Sequence, residues 1–530
     1  MKSTGRLITV SNRLPVVVRK HGGSPRLERS SGGLATALES AWSQQPGIWI
    51  GWPGTTQDEQ AEQLIAKASR RRPYQFLPVT LSEEEVAKFY SGFANEIIWP
   101  LFHDMPGRCN YDPDYWEIYQ RVNRKFAQAI LATVREDDFV WVHDYHLMLT
   151  ARYLREAGLK ARVGFFLHIP FPAPDIFQKL PWGEPVMRAL LDYDLIGFQT
   201  DRDRLNFASC LEYEIPEAAL ERSSTQVKVH AGQRKTTVGT FPISIDFDGF
   251  SEFAARPEVA SRASVIRRDL LENTLVLGVD RLDYTKGIPE RLRAFRILLQ
   301  RFPELRGQIT LVQVVVPSRE DIPRYKDLRT DLELLVSRIN GEFTQGGWVP
   351  IHYMHRNLGK EELLAYYRAA DIALITPLKD GMNLVAKEFC AAQTDERGVL
   401  ILSEFAGAGA ELRHGAILVN PNDFAGVAQA IHDAAAMSPD EKRTRMRLLR
   451  DIVRDHNVQR WARSFMHVAL DGKEDAKLAK TKNGGDGGHH TKTNQESPQS
   501  PPGVALIAAS VEHGPESHSG TSISEPRRML

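Results

Sequence analysis

Short, nearly continuous apolar runs alternate along this chain with polar loops and with stretches whose apolar positions recur at helical spacing. Residues 7–11 read as a buried strand running into Asn12, Arg13 and a polar, glycine-bearing stretch that ends at Gly32 and Gly33; the spacing over 34–42 then predicts a helix. The same order of strand, polar loop and helix recurs at 139–142 before His143 and Asp144, at 162–167 before His168, and at 195–198 before Gln199. Apolar runs of this kind suit strands buried on both faces, so the pattern predicts a parallel α/β sheet with functional groups at the strands' carboxyl ends. A second cycle begins near residue 247. Runs at 274–279, 308–316, 371–376 and 398–402 predict four more strands, with a helix over 288–302. Two such halves imply a cleft whose ligand touches both.

Residues 438–470 are rich in charge with apolar positions at helical spacing, which predicts helices packing on the core with Trp461, Phe465 and Val468 inward. From about Asp471 glycine, proline, serine and lysine take over, and a disordered tail over 471–530 is expected. His489 and His490 lie in that tail, where a pair of imidazoles makes a weak metal site at most. The resulting division is 1–246 and 247–455 for the two α/β domains, 456–470 for a terminal helix returning to the core, and 471–530 for the tail.

Charge and cysteine usage narrow the function. Lys and Arg number 67 and so do Asp and Glu, so no global cationic field is available to hold a nucleic-acid backbone. The three cysteines are far apart with no CxxC pair, against a structural zinc site or a disulfide scaffold. The N-terminus has no signal-peptide hydrophobic core, and no apolar run approaches the roughly 18–20 residues of a membrane span. A cytoplasmic protein acting on small molecules, without nucleic acid or membrane as partner, is expected; homo-oligomerisation stays open.

Four groups carry candidate chemistry. In DRLDYTKG, Arg281 and Lys286 follow a buried strand and can hold a diphosphate from two directions, with the helix starting near Pro289 adding its positive end; a solvent-facing, salt-bridged loop would have the same spacing. In PLKDGMNLVAKEF, Asp380 and Gly381 form a turn, Met382, Asn383 and Leu384 lie at a helix start, and Glu388 follows; a ribose-binding carboxylate and an ordinary helix-surface residue are both compatible with it. His143, Asp144 and His146 have ligand chemistry but not HExxH-like spacing, and with His168 they fit sugar hydroxyls better than a metal. Finally, Arg13 and Arg319 follow strands at what read as equivalent places in the two halves, a natural clamp for a phosphomonoester, with Tyr90 and Trp99 closing one side of a sugar site; Trp49, Trp52 and Trp99 are equally compatible with core packing.

Taken in order, SNRLP at 11–15, SGG at 31–33, WIGWPG at 49–54, FYSGFANEIIWPLFH, VWVHDYHL, HIPFP at 168–172, RLDYTKG at 281–287 and DGMNLVAKEF at 380–389 resemble the trehalose-6-phosphate synthase family, from about residue 5 to about 465. The resemblance implies two facing Rossmann-like domains of the glycosyltransferase B type, and retaining transfer of glucose from a nucleotide sugar, UDP-glucose before GDP- or ADP-glucose, to glucose 6-phosphate, without a cofactor or catalytic metal. It implies Arg281 and Lys286 on the donor diphosphate, Glu388 on its ribose, and Asp380 with the backbone of Gly381, Met382, Asn383 and Leu384 on the transferred glucose and adjacent phosphate. It implies His168 beside that glucose, Asp144 at the acceptor sugar, Trp52 at the sugar site, Arg13, Arg319, Tyr90 and Trp99 at the acceptor phosphate, and Gly32 and Gly33 in a mobile donor loop; catalytic roles fall to His168, Asp144, Arg281, Lys286 and Asp380. A synthase using glycerol 3-phosphate would share the phosphate clamp. A silent sugar-phosphate sensor would have less need of the complete set of Arg13, Asp144, His168, Arg281, Lys286, Arg319, Asp380 and Glu388.

Overall fold

The computed structural model describes residues 5–21, 24–29, 33–42, 46–55, 59–70, 72–319 and 322–470. The expected tail, with His489 and His490, lies outside them, and so does Gly32; Gly33 opens the helix Gly33–Trp42. In the first half the strands are β1 (Leu7–Arg13), β2 (Val16–His21), β3 (Ser24–Arg29), β4 (Gly47–Trp52), β5 (Tyr74–Pro78), β6 (Phe139–His143), β7 (Arg162–Phe166), β8 (Leu195–Phe198), β9 (Ala219–Arg222), β10 (Gln226–Ala231) and β11 (Arg234–Thr240). The second half contributes β12 (Thr274–Arg281), β13 (Ile309–Val316), β14 (Ile351–His355), β15 (Ile372–Ile375), β16 (Val399–Ser403) and β17 (Ile417–Val419).

The first sheet runs β5-β4-β1-β6-β7-β8-β11-β10-β9 and the second β14-β13-β12-β15-β16-β17. From β5 to β11 neighbours in the first sheet are parallel, and the second is parallel throughout. In both, the first strand sits between the second and the fourth, the doubly wound order of a Rossmann sheet. This topology corrects the expected pairing of arginines. Arg13 ends β1, and its counterpart at the end of the equivalent strand β12 is Arg281; Arg319 follows β13, whose counterpart is β4. The polar stretch after Arg13 is also more than a loop, because β2 and β3 pair there as an antiparallel hairpin.

Each central strand feeds two cores. In β6, Val140 and Val142 face one cluster while Phe139 and Trp141 face the other; in β12, Val276 opposes Leu275, Leu277 and Val279. Alternation of side chains across a sheet covered on both faces produces this division from an unbroken apolar run. The helix Val458–Leu470 returns to the first sheet: Phe465 stacks on Trp141 with centroids 4.3 Å apart, and the Arg162 guanidinium donates to the carbonyls of Ala469 and Leu470 at 2.6 and 2.8 Å. Gly197 in β8 makes room, since a Cβ there would stand 2.7 Å from the Phe166 ring and 2.8 Å from that of Phe465. Trp461 and Phe465 are buried as expected, whereas Val468 is only partly covered and Ala469 turns inward in its place. Phe465→Ala is expected to cost about 3–5 kcal/mol, read as a lower denaturant midpoint; a cost below about 1 kcal/mol would mean the helix is not fastened through this ring. Among the described residues no helix is long and apolar enough to cross a membrane.

Candidate active site

The loop after β12 is built from within. Asp283, fully buried, accepts from the backbone N–H and the hydroxyl of Thr285 at 3.1 and 3.0 Å and so caps the single turn Tyr284–Lys286. Gly287 follows at φ +62, where a Cβ would meet the Thr376 carbonyl at 2.2 Å, and Ile288–Arg301 then begins with proline in its first turn. Beneath it, buried Arg291 donates to Asp280 at 2.5 Å, Gln313 at 3.0 Å and Thr376 at 3.1 Å. This buried network fixes the loop's base while leaving Arg281 half exposed, its guanidinium 4.0 Å from Asp283. Lys286 donates to Asp380 at 2.6 Å. Burial would raise the Asp380 carboxyl, but Lys286 outweighs it and holds the group below its ordinary value.

Asp380 precedes the turn to Leu384–Ala392. Asn383, at φ +87, caps that helix through Ala386 N–H and donates to Asp380 at 3.1 Å. The backbone here meets the first half: a Cβ on Gly381 would stand 2.4 Å from the His168 carbonyl oxygen and 3.0 Å from Ile169. Further along, Glu388 accepts from Tyr367 at 3.0 Å. Burial raises its carboxyl despite that bond.

Opposite these, a π-helical segment, Val86–Ile98, carries Tyr90 and Asn95, and Asn95 donates to the Tyr90 carbonyl at 2.7 Å. Widened turns of this kind are rare and favour functional sites. The Arg13 guanidinium lies 4.3 Å from the Trp52 ring centroid and 5.2 Å from that of Tyr90. Arg319, at φ +51, is buried over Trp99 at 4.2 Å and donates to Tyr325, Asp283 and Tyr145 at 2.6, 3.3 and 3.3 Å. Burial alone would raise the Tyr90 hydroxyl; Arg319, Arg13 and Arg281 overcome it and lower the group below its ordinary value. Arg13 lies against Tyr90, and Arg281 and Arg319 lie 5.7 and 4.2 Å from the Trp99 ring centroid, so three guanidiniums converge here.

Asp144, at φ +77, accepts from His168 N–H at 3.2 Å. Burial pushes its carboxyl up to about 7, against the pull of the Tyr145 and His168 N–H groups and of Arg319 and Arg281. Non-glycine residues at positive φ are uncommon, and three of them, Asp144, Arg319 and Asn383, hold site side chains here. Of the neighbouring histidines, His143 turns to His168 at 3.2 Å and His146 stacks on Tyr90. Among the described residues no three His, Cys, Asp or Glu side chains are placed to hold a metal ion.

The structure therefore gathers Arg13, Tyr90, Trp99, Asp144, Arg281 and Arg319 in one group and Lys286, Asp380 and Asn383 in another, joined by the approach of Gly381 to His168. Glu388 stands apart, beside Tyr367. The tryptophans separate: Trp49 donates to Ser11 Oγ at 2.8 Å inside the core, whereas Trp52 and Trp99 each lie under a guanidinium. Asp283, Tyr145, Tyr325 and Arg291 escaped the sequence reading as site residues. Asp283 and Tyr145 lay in singled-out motifs; Tyr325 and Arg291 are placed by their bonds to Arg319 and to Asp280, Gln313 and Thr376.

Two Rossmann-like sheets whose parallel strands bring cations, carboxylates and a close backbone approach to one cleft define a two-domain α/β glycosyltransferase. The chain belongs to glycosyltransferase family 20, which it matches over residues 5–470. It is 42% identical to a bifunctional trehalose-6-phosphate synthase/phosphatase of Thermoproteus tenax over 88% of this chain, and spans 64% of the length of that protein. It is 43% identical to a trehalose-6-phosphate synthase of Mycolicibacterium vanbaalenii, covering 88% of this chain and 96% of the relative. Its fold superposes on that of an α,α-trehalose-phosphate synthase (UDP-forming) from Burkholderia xenovorans in complex with glucose-6-phosphate with a TM-score of 0.80 at 37% identity, covering 88% of this chain and 100% of the other.

Proposed function

We propose that this protein is a retaining glucosyltransferase that makes α,α-trehalose 6-phosphate from UDP-glucose and glucose 6-phosphate, in the cytoplasm and without a metal or organic cofactor. The observation that carries the reading is the convergence of Arg13, Arg281 and Arg319 on the Tyr90 and Trp99 rings, in one cleft with Asp144 and with the Lys286–Asp380 pair. One cleft then offers two separate anion sites, as transfer between two phosphorylated sugars requires. Residues 1–246 form the acceptor domain and 247–455 the donor domain. Arg13, Arg319, Tyr90 and Trp99 take the acceptor phosphate, Asp144 and Trp52 the acceptor sugar, and Arg281 and Lys286 the donor diphosphate. Glu388 takes the ribose, Asp380 with the backbone of Gly381, Met382, Asn383 and Leu384 takes the transferred glucose, and Gly33, at the start of its helix, approaches the donor.

In the reaction the bond from the glucose anomeric carbon to the diphosphate breaks, and the acceptor's anomeric hydroxyl attacks on the same face. Its proton passes to the departing phosphate oxygen. Arg281, which Asp283 compensates only from 4.0 Å, meets the charge that develops on that oxygen, and Lys286 adds to it while sharing Asp380. Closing the cleft holds the two reacting atoms together and keeps water from competing.

Incubation with UDP-, GDP- or ADP-glucose and either glucose 6-phosphate or glycerol 3-phosphate tests the reading by nucleoside diphosphate release. Fastest turnover with UDP-glucose and glucose 6-phosphate is expected. Turnover with glycerol 3-phosphate alone would overturn the acceptor, and none with any pair would leave a sensor. Arg319→Ala is expected to raise KM for glucose 6-phosphate about 10–100-fold while KM for UDP-glucose moves less than about threefold, from the loss of charge-assisted hydrogen bonds; equal rises would count against the assignment. Because Asp144 ionises at about 7 and the carboxylate is the form that accepts sugar hydroxyls, kcat/KM falls as pH drops through about 7. Asp144→Asn should lower kcat/KM and remove this limb, leaving whatever slope the acceptor phosphate itself contributes; an unchanged profile would contradict the role.

A further inference from the structure

We infer that Gln199 is a positioning residue: it ties the chain's crossover between the two sheets to His168 and fixes that imidazole in the tautomer protonated on Nε2. The chain leaves β11 at Thr240 and enters the second half at the helix Phe247–Ala254. Midway, buried Ile243 is gripped from both sides. Its N–H donates to Gln199 Oε1 at 2.9 Å, and its carbonyl accepts from the buried ammonium of Lys387, on the helix Leu384–Ala392, also at 2.9 Å. Lys387 is neutralised in turn by Glu411 at 2.5 Å.

The first of these bonds orients everything beyond it. A backbone N–H can only donate, so the atom facing Ile243 is the amide oxygen of Gln199 and the other end is its NH2 group. That group lies 3.4 Å from His168 Nδ1, which must accept through its lone pair. A neutral imidazole whose Nδ1 accepts carries its proton on Nε2, and His168 Nε2 lies 3.2 Å from His143 Nδ1, to which it donates. His143 is then protonated on Nε2, which is buried and meets no hydrogen-bond partner among the described residues. The opposite polarity would set Nδ1–H of His168 against the NH2 of Gln199, and flipping the amide would set its NH2 against Ile243 N–H. Only this direction of donation leaves no two donors facing each other between Ile243 and His143.

Burial supports the neutral state of both rings, pushing His168 down to about 3 and His143 well below its ordinary value. The carboxylate beside them, Asp144, is engaged with the main-chain N–H of His168 rather than with its ring. Both ring nitrogens of His168 are therefore spoken for inside the protein, so the residue has no free lone pair with which to take a proton. Within the proposed function, on which only this consequence rests, His168 serves the cleft through its main-chain carbonyl beside Gly381 and through an uncharged ring.

The test reads the tautomer itself. Full-length protein labelled with 13C,15N-histidine is examined by solid-state NMR, with the coupled imidazole pair identified by its loss in His143→Asn. His168 is expected with a bare Nδ1 and a protonated Nε2 hydrogen-bonded to a second ring. Gln199→Glu keeps an acceptor for Ile243 N–H but turns an acceptor-only oxygen toward His168, so Nδ1 should become protonated, and kcat should fall about tenfold, as for partners that orient functional groups. Wild-type His168 protonated on Nδ1, or a tautomer unchanged in Gln199→Glu, would overturn the inference. If the variant does not fold, the wild-type spectrum alone decides. The expected tautomer in a protein that transfers no glucose would refute the function and leave this inference standing.

Discussion

Arg281→Ala lowers kcat/KM for glucosyl transfer by about 10²–10³-fold, the usual consequence of removing one group aimed at charge that develops in the transition state. Stability should hardly change. The guanidinium is half exposed and rests 4.0 Å from Asp283, which keeps Arg319 at 3.3 Å and the hydrogen bonds from Thr285 when Arg281 is lost. The loop's conformation depends on Arg291, Asp280 and Gly287 beneath it, to none of which the Arg281 guanidinium hydrogen-bonds. Lys286→Ala is a less clean comparison, because it strips Asp380 of its counter-charge at 2.6 Å and lets burial raise that carboxyl. Steady-state kinetics together with a denaturation curve checks the prediction. A loss below about threefold, or a loss matched by unfolding, would remove Arg281 from the diphosphate.

Gly381→Ala is the second large effect, and it removes no functional group at all. The added methyl would stand 2.4 Å from the His168 carbonyl and 3.0 Å from the Ile169 backbone, with no flexible side chain there to yield. The loop carrying Asp380 and Asn383 must then withdraw from the first half. A displacement of roughly 1 Å at a reacting centre costs about 10²-fold, and a loss of that order in kcat is expected with Tm moving by a few degrees at most. Unchanged kcat would show that this close approach does not set the geometry of transfer.

Much of the fold was legible because a parallel sheet covered on both faces demands unbroken apolar strands, and those stand out at 139–142, 195–198 and 308–316. The hairpin of β2 and β3 was not, since its second strand, SPRLER, has almost no apolar signal and owes its pairing to the strand before it. The mismatch between Arg13 and Arg319 has a similar origin. Position after an apolar run is visible in sequence, but which strand lies beside which is not, and only the strand order makes Arg281 the counterpart of Arg13. Charged residues in short motifs were readable as candidates. Their supports were not: Gln199 acquires its meaning from Ile243 and His168, 44 and 31 residues away, and Trp99 from Asp283, 184 residues away.

Arrangement of the cleft also bears on stereochemistry. Arg281, proposed for the donor, and Arg319, proposed for the acceptor, both act on Tyr90 and Asp283, so the two proposed sites adjoin, as departure and attack on the same face require. The most direct measurement is therefore NMR of the product formed from UDP-glucose labelled with 13C at the anomeric carbon and unlabelled glucose 6-phosphate. A 1,1-linked disaccharide phosphate whose labelled anomeric carbon keeps the α configuration of the donor is expected. A β-configured label, or release of free labelled glucose in place of a disaccharide, would contradict it.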